Sequence, residues 1–124
     1  MITWINLIVG GIAGTIARYI LSGTVYQICG ISFPYGTLAV NILGCFVIGF
    51  FVSLSEEKFF LSPGARILLM TGFCGAFTTF STLIFETNNL IKDGEIFRAF
   101  LNISLSVIIG FIVFRIGAFL GEVI

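Results

Sequence analysis

The residues with the means to do chemistry crowd into one short stretch: Gly72-Phe73-Cys74-Gly75-Ala76-Phe77-Thr78-Thr79-Phe80-Ser81-Thr82. Two glycines three apart are followed by four hydroxyl residues within five positions. Glycine freedom and hydroxyls that compete for backbone groups do not favour a continuous helix. Two outcomes are open. Either the hydroxyls bond back to carbonyls one turn earlier, or the helix breaks. A break inside a bilayer frees backbone carbonyls, which neighbours, water or an ion must satisfy. Carbonyl oxygens suit a hard cation. Phe80 sits amid the hydroxyls, and an aromatic ring carries a negative face and a positive edge. A small anion held by ring edges, with Asn41 and nearby hydroxyls as donors, would meet no full positive charge and so could also leave, as conduction requires. The plainer reading of Asn41 is an amide that glues two helices together.

Other chemistries lack their parts. The chain has no histidine, the commonest general base and metal ligand. No serine–base pairing stands out, so an enzyme is not expected. No GxxxxGK[ST] loop is present, which fits passive flow. Cys29, Cys45 and Cys74 are far apart and are read as buried hydrophobes. Arg18 and Glu86 lie within a few turns of a membrane surface, where they snorkel, pair or shape the field at a pore mouth.

The elements that position these residues follow from composition. Of 124 residues, 58% are apolar and 10% charged, against roughly 45–50% and 25% in soluble domains. Mean hydropathy is +1.16. A soluble fold of this size cannot hide so much apolar surface. A nucleic-acid binder and a disordered chain are excluded by the same figures. Charge-free stretches at 1–17, 19–55, 67–85 and 99–114 predict four membrane-spanning helices at about 4–27, 35–55, 65–91 and 97–121. The whole chain, 1–124, is one transmembrane unit. Continuous apolar runs, not ~10-residue alternation, argue against a barrel. The N-terminus does not read as a cleaved signal peptide. Gly10 with Gly14, and Gly117 with Gly121, suit close helix contact.

The six basic residues divide evenly. Lys58, Arg66 and Arg115 fall toward one side, and Arg18, Lys92 and Arg98 toward the other. Orientation follows Lys/Arg bias, and this chain has almost none. Either a partner or one dominant charge orients it, or it inserts both ways and pairs antiparallel. Four short helices do not easily enclose a pore, so an oligomer is expected.

Gly10-Gly11-Ile12-Ala13-Gly14 with Arg18-Tyr19, Pro34-Tyr35-Gly36-Thr37-Leu38-Ala39-Val40-Asn41 with Gly44, and Gly72-Phe73-Cys74-Gly75 followed by Thr78-Thr79-Phe80-Ser81-Thr82 and Glu86 resemble the CrcB/Fluc fluoride channel family. The fourth span matches loosely, through Ser106 and Gly110. The resemblance implies an all-α membrane protein with a broken third helix, paired as an antiparallel, dual-topology homodimer. It implies two fluoride pathways at the interface and a setting in a bacterial cell membrane. By position, Asn41 would be the amide donor and Phe80 a ring-edge contact, with Ser81, Thr82 and Ser106 as hydroxyls near the path. Backbone carbonyls of Gly75 and Thr78, two from each subunit, would hold a structural Na⁺ at the dimer centre. Arg18 would lie near a vestibule. One position departs from the pattern: Leu83 stands where the family usually has a second Phe. Phe85 is turned away by about 200°, leaving Phe77 as the nearby ring.

The resulting expectation is a passive channel that lets cytoplasmic fluoride out and reduces its toxicity. The competing readings are a proton-coupled exporter like the small multidrug-resistance family, one subunit of a heterodimeric fluoride channel, and a structural subunit of a larger complex. The exporter needs a carboxylate in its first span. The chain has no Asp or Glu before Glu56, and Glu86 would have to serve instead.

Overall fold

A computed structural model describes residues 1–124. The fold is all-helical, with four helices long and apolar enough to cross a membrane: Ile2–Cys29, Tyr35–Glu56, Pro63–Lys92 and Ile96–Val123. The predicted spans lie inside these bounds. The first, second and last are single helices: α1 (Ile2–Cys29), α2 (Tyr35–Glu56) and α6 (Ile96–Val123). The third is built from pieces: α3 (Pro63–Arg66), a π-helix π1 (Ile67–Cys74), α4 (Gly75–Phe77) and, after a break, α5 (Phe80–Lys92).

Local chemistry sets the ends. Gly30 stops α1 at φ 87°, where a side chain would be strained. Pro34 precedes α2, and its carbonyl accepts from the Leu38 N–H at 3.1 Å. Ser62 caps α3 by accepting from the Ala65 N–H at 3.2 Å, with Pro63 in the first turn. Two cross-links define the ends of the bundle. Asn6 donates to the Gly64 carbonyl (3.2 Å), so the start of α1 lies beside α3. Arg98 donates to the Ser32 carbonyl (3.0 Å), so the α1–α2 and α5–α6 turns share the opposite end.

The helices meet through glycine. Lipid tails are as apolar as Leu, so association rests on close van der Waals packing. A Cβ at Gly10 would strike the Leu68 carbonyl, and one at Gly14 the Phe73 carbonyl. On α6, a Cβ at Gly117 would strike the Phe46 carbonyl, and one at Gly121 would lie 2.7 Å from Ser53 Cβ. The α1 pair therefore seats π1, and the α6 pair seats α2. The third span, expected over 65–91 with a break, also departs from α-geometry before that break, in the wide turns of Ile67–Cys74. The Gly75 N–H reaches the Met70 carbonyl, one residue beyond the α-helical partner. Such wide turns are rare; here Gly72 lies directly on Gly10 and Asn6, contacts that a π-helix gains by presenting its backbone to α1.

Few side chains are buried within one chain; Val40, Cys74, Phe77, Leu83, Leu90, Ala99 and Asn102 are among them. Trp4, Ile8, Ile12, Phe97, Phe100 and Phe111 are exposed, as a lipid-facing exterior requires. The cysteine expectation holds for Cys74 and not for Cys29, which is exposed at the last residue of α1, beyond the packed part of the bundle.

Candidate functional site: a cavity at the helix break

The break falls at Thr78 and Thr79, both extended (φ −90°, ψ 157° and φ −149°, ψ 116°). Of the two outcomes open in the sequence, the helix takes the break. Asn41, on α2, holds it. Its Oδ1 accepts from the Thr79 N–H (2.7 Å) and its Nδ2 donates to the Thr79 carbonyl (3.0 Å). The reverse amide orientation would set donor against donor, so the network fixes this one. Asn41 therefore acts as interhelical glue with one N–H engaged, and its second N–H makes no hydrogen bond within the chain. Gly44, one turn further along α2, leaves the space that the Thr78 side chain occupies.

Two carbonyls lose their helical partners here. The Thr79 N–H, which would bond the Gly75 carbonyl in a continuous helix, goes to Asn41. The Thr82 N–H, which would bond the Thr78 carbonyl, goes to Thr79 Oγ1 (3.3 Å). Gly75 is exposed, with open space around it. No group of His, Cys, Asp or Glu able to hold a metal exists in the chain. The donor set left at the break is carbonyl oxygen, and it suits a hard cation such as Na⁺. A third carbonyl, that of Ala76, receives Arg18 Nε (3.0 Å). Arg18 thus turns inward about three turns before the end of α1 instead of snorkelling.

Beside the break lies a cavity of about 350 Å³ lined by Asn41, Thr79, Phe80, Leu83 and Ser106, among others. Six of the site residues singled out by sequence meet there: Asn41, Gly75, Thr78, Phe80, Leu83 and Ser106. Ser106 Oγ is buried without a partner. Leu83 is buried at 6% exposure, whereas Phe80 is 75% exposed. Ser81 is exposed and lines none of the three cavities near the break and the adjoining turns. Thr82 faces a second cavity, of about 260 Å³, with Arg18, Thr37 and Glu86. Thr79 Oγ1 donates to Thr82 Oγ1 (3.0 Å), which leaves the Thr82 hydroxyl hydrogen available to a ligand. Phe77 does not extend the ring series. It stacks on Phe73, centroids 5.6 Å apart, on the far side of the break.

Two further residues join the site, and one buried amide lies outside it, none of them having been singled out. Tyr26 and Thr37 both donate to the Glu86 carboxylate. Asn102, wholly buried, donates to Thr87 Oγ1 (2.9 Å), and its Oδ1 has no partner. Asn102 is the lone amide within the charge-free part of the fourth span, a signal of the same kind that marked Asn41. Tyr26 carries no such signal, because tyrosine is ordinary near a span end.

Fold and site define a small multi-pass membrane protein with a largely apolar cavity, carrying a few polar groups, beside a broken helix. Comparison with known proteins carries this further. Residues 5–118 match the family model described as CrcB-like protein, Camphor Resistance (CrcB). A protein of Solidesulfovibrio magneticus named fluoride-specific ion channel FluC is 47% identical over 114 residues, covering 92% of this chain and 91% of the relative. Proteins of the same name from Maridesulfovibrio salexigens (44% over 121 residues; 98% and 96% covered) and Dehalococcoides mccartyi (42% over 118; 95% and 91%) are also similar. The chain belongs to the CrcB family.

Proposed function

We propose that this protein is a passive, fluoride-selective channel, not an enzyme, that lets cytoplasmic fluoride leave the cell and so limits its toxicity. The curated relatives carry that activity in their name. The observation that carries the reading at residue level is the convergence of the free Asn41 N–H, the Phe80 ring, Leu83 and the unpartnered Ser106 hydroxyl on one cavity. Asn41 and Ser106 donate to the anion, Phe80 offers its ring edge, and Thr82 serves as a hydroxyl toward the vestibule, where Arg18 supplies positive field, while Ser81, exposed and outside the cavities of one chain, reaches the path only at the face that a second copy would cover. An inside-negative potential drives the anion outward with ~2.3 kcal/mol per 100 mV.

The working unit in this reading is an antiparallel, dual-topology homodimer in the cell membrane. A phenylalanine 75% exposed at the mouth of the cavity leaves one wall to be supplied, and the even division of basic residues permits both orientations. That even division also favours a homodimer over a fixed-orientation heterodimer subunit. The Gly75 and Thr78 carbonyls of both copies would hold a structural Na⁺ that compensates their freed partial charge. The exporter reading loses its carboxylate, because Glu86 is tied to Tyr26 and Thr37.

The test is release of fluoride, with chloride as control, from liposomes containing the purified protein. The parent is expected to release fluoride and retain chloride, and Phe80→Ile to slow release. Folded, dimeric protein that releases no fluoride would overturn the reading. An unchanged rate in Phe80→Ile would remove the ring-edge contact.

A further inference from the structure

Two cavities meet at a single pair of side chains. The vestibular cavity (about 260 Å³) holds Arg18, Thr37, Thr79 and Thr82. The other, about 300 Å³, lies at the end of the bundle bearing the turns and is lined by Ser32, Pro34, Asn89 and Asp93, among others. Tyr26 and Glu86 alone line both. An anion passing from one to the other passes the Glu86 carboxylate, the one acidic side chain between the break and the α5–α6 turn.

The carboxylate is not loose. Tyr26 donates to one of its oxygens and Thr37 to the other. Each hydroxyl has one hydrogen, so both are spent on Glu86, and the 3.3 Å approach of Tyr26 Oη to Thr37 Oγ1 follows from sharing that acceptor. The phenol is itself seated. A Cβ at Gly36 would strike the Tyr26 ring and lie 2.6 Å from the Ser22 carbonyl, so glycine at 36 is what lets the ring lie across the start of α2. Hydrogen bonds to a charged group are among the stronger ones.

Building on the channel reading above, we infer that Tyr26 is a positioning residue for anion passage. With Thr37, it draws the Glu86 carboxylate against α1 and α2 and offsets its charge at the junction of the two cavities. Released from the phenol, the carboxylate swings into the junction. Bringing that charge from about 10 Å to about 5 Å of a passing anion, at an effective dielectric of about 20, adds enough repulsion to cut anion occupancy roughly tenfold.

The experiment compares fluoride release from liposomes for the parent, Tyr26→Phe, Thr37→Val and each of these combined with Glu86→Gln, all shown to be folded dimers of parental mass. Tyr26→Phe is expected to slow release roughly tenfold, and adding Glu86→Gln to recover most of that loss, because the neutral amide carries no repelling charge. Thr37→Val is read in the same way and decides the matter if Tyr26→Phe yields no folded protein. Parental release in the single variants overturns the inference. So does slow release that Glu86→Gln leaves unrelieved, since a merely structural tyrosine behaves that way. A parent that releases no fluoride removes the channel reading and this inference with it, whereas normal parental release beside an unaffected Tyr26→Phe removes this inference alone.

Discussion

Replacing Asn41 by Ala tests the centre of the site, because one side chain both holds the break and offers a donor. The variant loses two hydrogen bonds to Thr79, at 2.7 and 3.0 Å, and leaves that residue's N–H and carbonyl without partners. Each unsatisfied buried backbone group costs about 1–3 kcal/mol. The adjoining cavity admits water that recovers part of this, so a loss of about 2–4 kcal/mol is expected. The free Asn41 N–H is lost as well. A hydrogen bond to a charged group is worth about 1.5–3 kcal/mol, which corresponds to roughly a ten- to hundredfold slower fluoride release if it acts at the barrier. The assays are thermal unfolding of the purified protein in detergent and fluoride-electrode measurement of liposome efflux. The two readouts separate the roles. Lower stability with unchanged efflux confines Asn41 to the break. If neither changes, the reasoning about this residue is refuted.

Thr79→Val removes the cap of α5 while keeping its shape; a loss of about 1 kcal/mol in thermal unfolding is expected, and Thr79→Ser should retain stability. Leu83→Phe places a ring on the wall of the 350 Å³ cavity; it should fold and release fluoride at least as fast as the parent, and a collapse of efflux in folded protein would show that leucine is required there. If the proposed pair holds Na⁺, exchanging Na⁺ for choline in the buffer should lower its unfolding temperature, because the Gly75 and Thr78 carbonyls would then lack a cation; an unchanged temperature would argue that no such ion is held.

The spans were legible because a bilayer imposes one length and one polarity on every helix. Charge positions alone placed all four to within a few residues of the observed bounds. The interhelical glycines were legible for a related reason, since only the smallest residues let backbones touch in lipid. The break was half legible. Composition raised it as one of two outcomes, and what decided between them is Asn41, thirty-eight residues away on α2, whose amide replaces the lost ladder at Thr79. The π-helix was not legible, because nothing in Ile67–Cys74 distinguishes wide turns from ordinary ones until Gly72 is laid on Gly10. The partners of Glu86 were hidden likewise. Tyr26 and Thr37 approach it from sixty and forty-nine positions away, a relation that no local pattern encodes.

Phe80 and Leu83 stand three apart on α5, and in a helix such residues share a face. Their exposures differ by an order of magnitude, 75% against 6%. Helix geometry alone does not explain that difference; the surroundings do. Leu83 reaches into the packed interior of its own chain, whereas Phe80 stands on the first turn after the break, at the open mouth of the cavity. A leucine at 83 therefore changes a wall that the chain builds by itself. The ring at 80 belongs to a wall the chain does not complete. In an antiparallel pair each copy's Phe80 would be covered by the other, so loss of the ring at 83 leaves the shared surface intact, while loss of the ring at 80 would alter the pathway and the contact between copies together. The departure from the family pattern thus falls at the position where a single chain can compensate by its own packing.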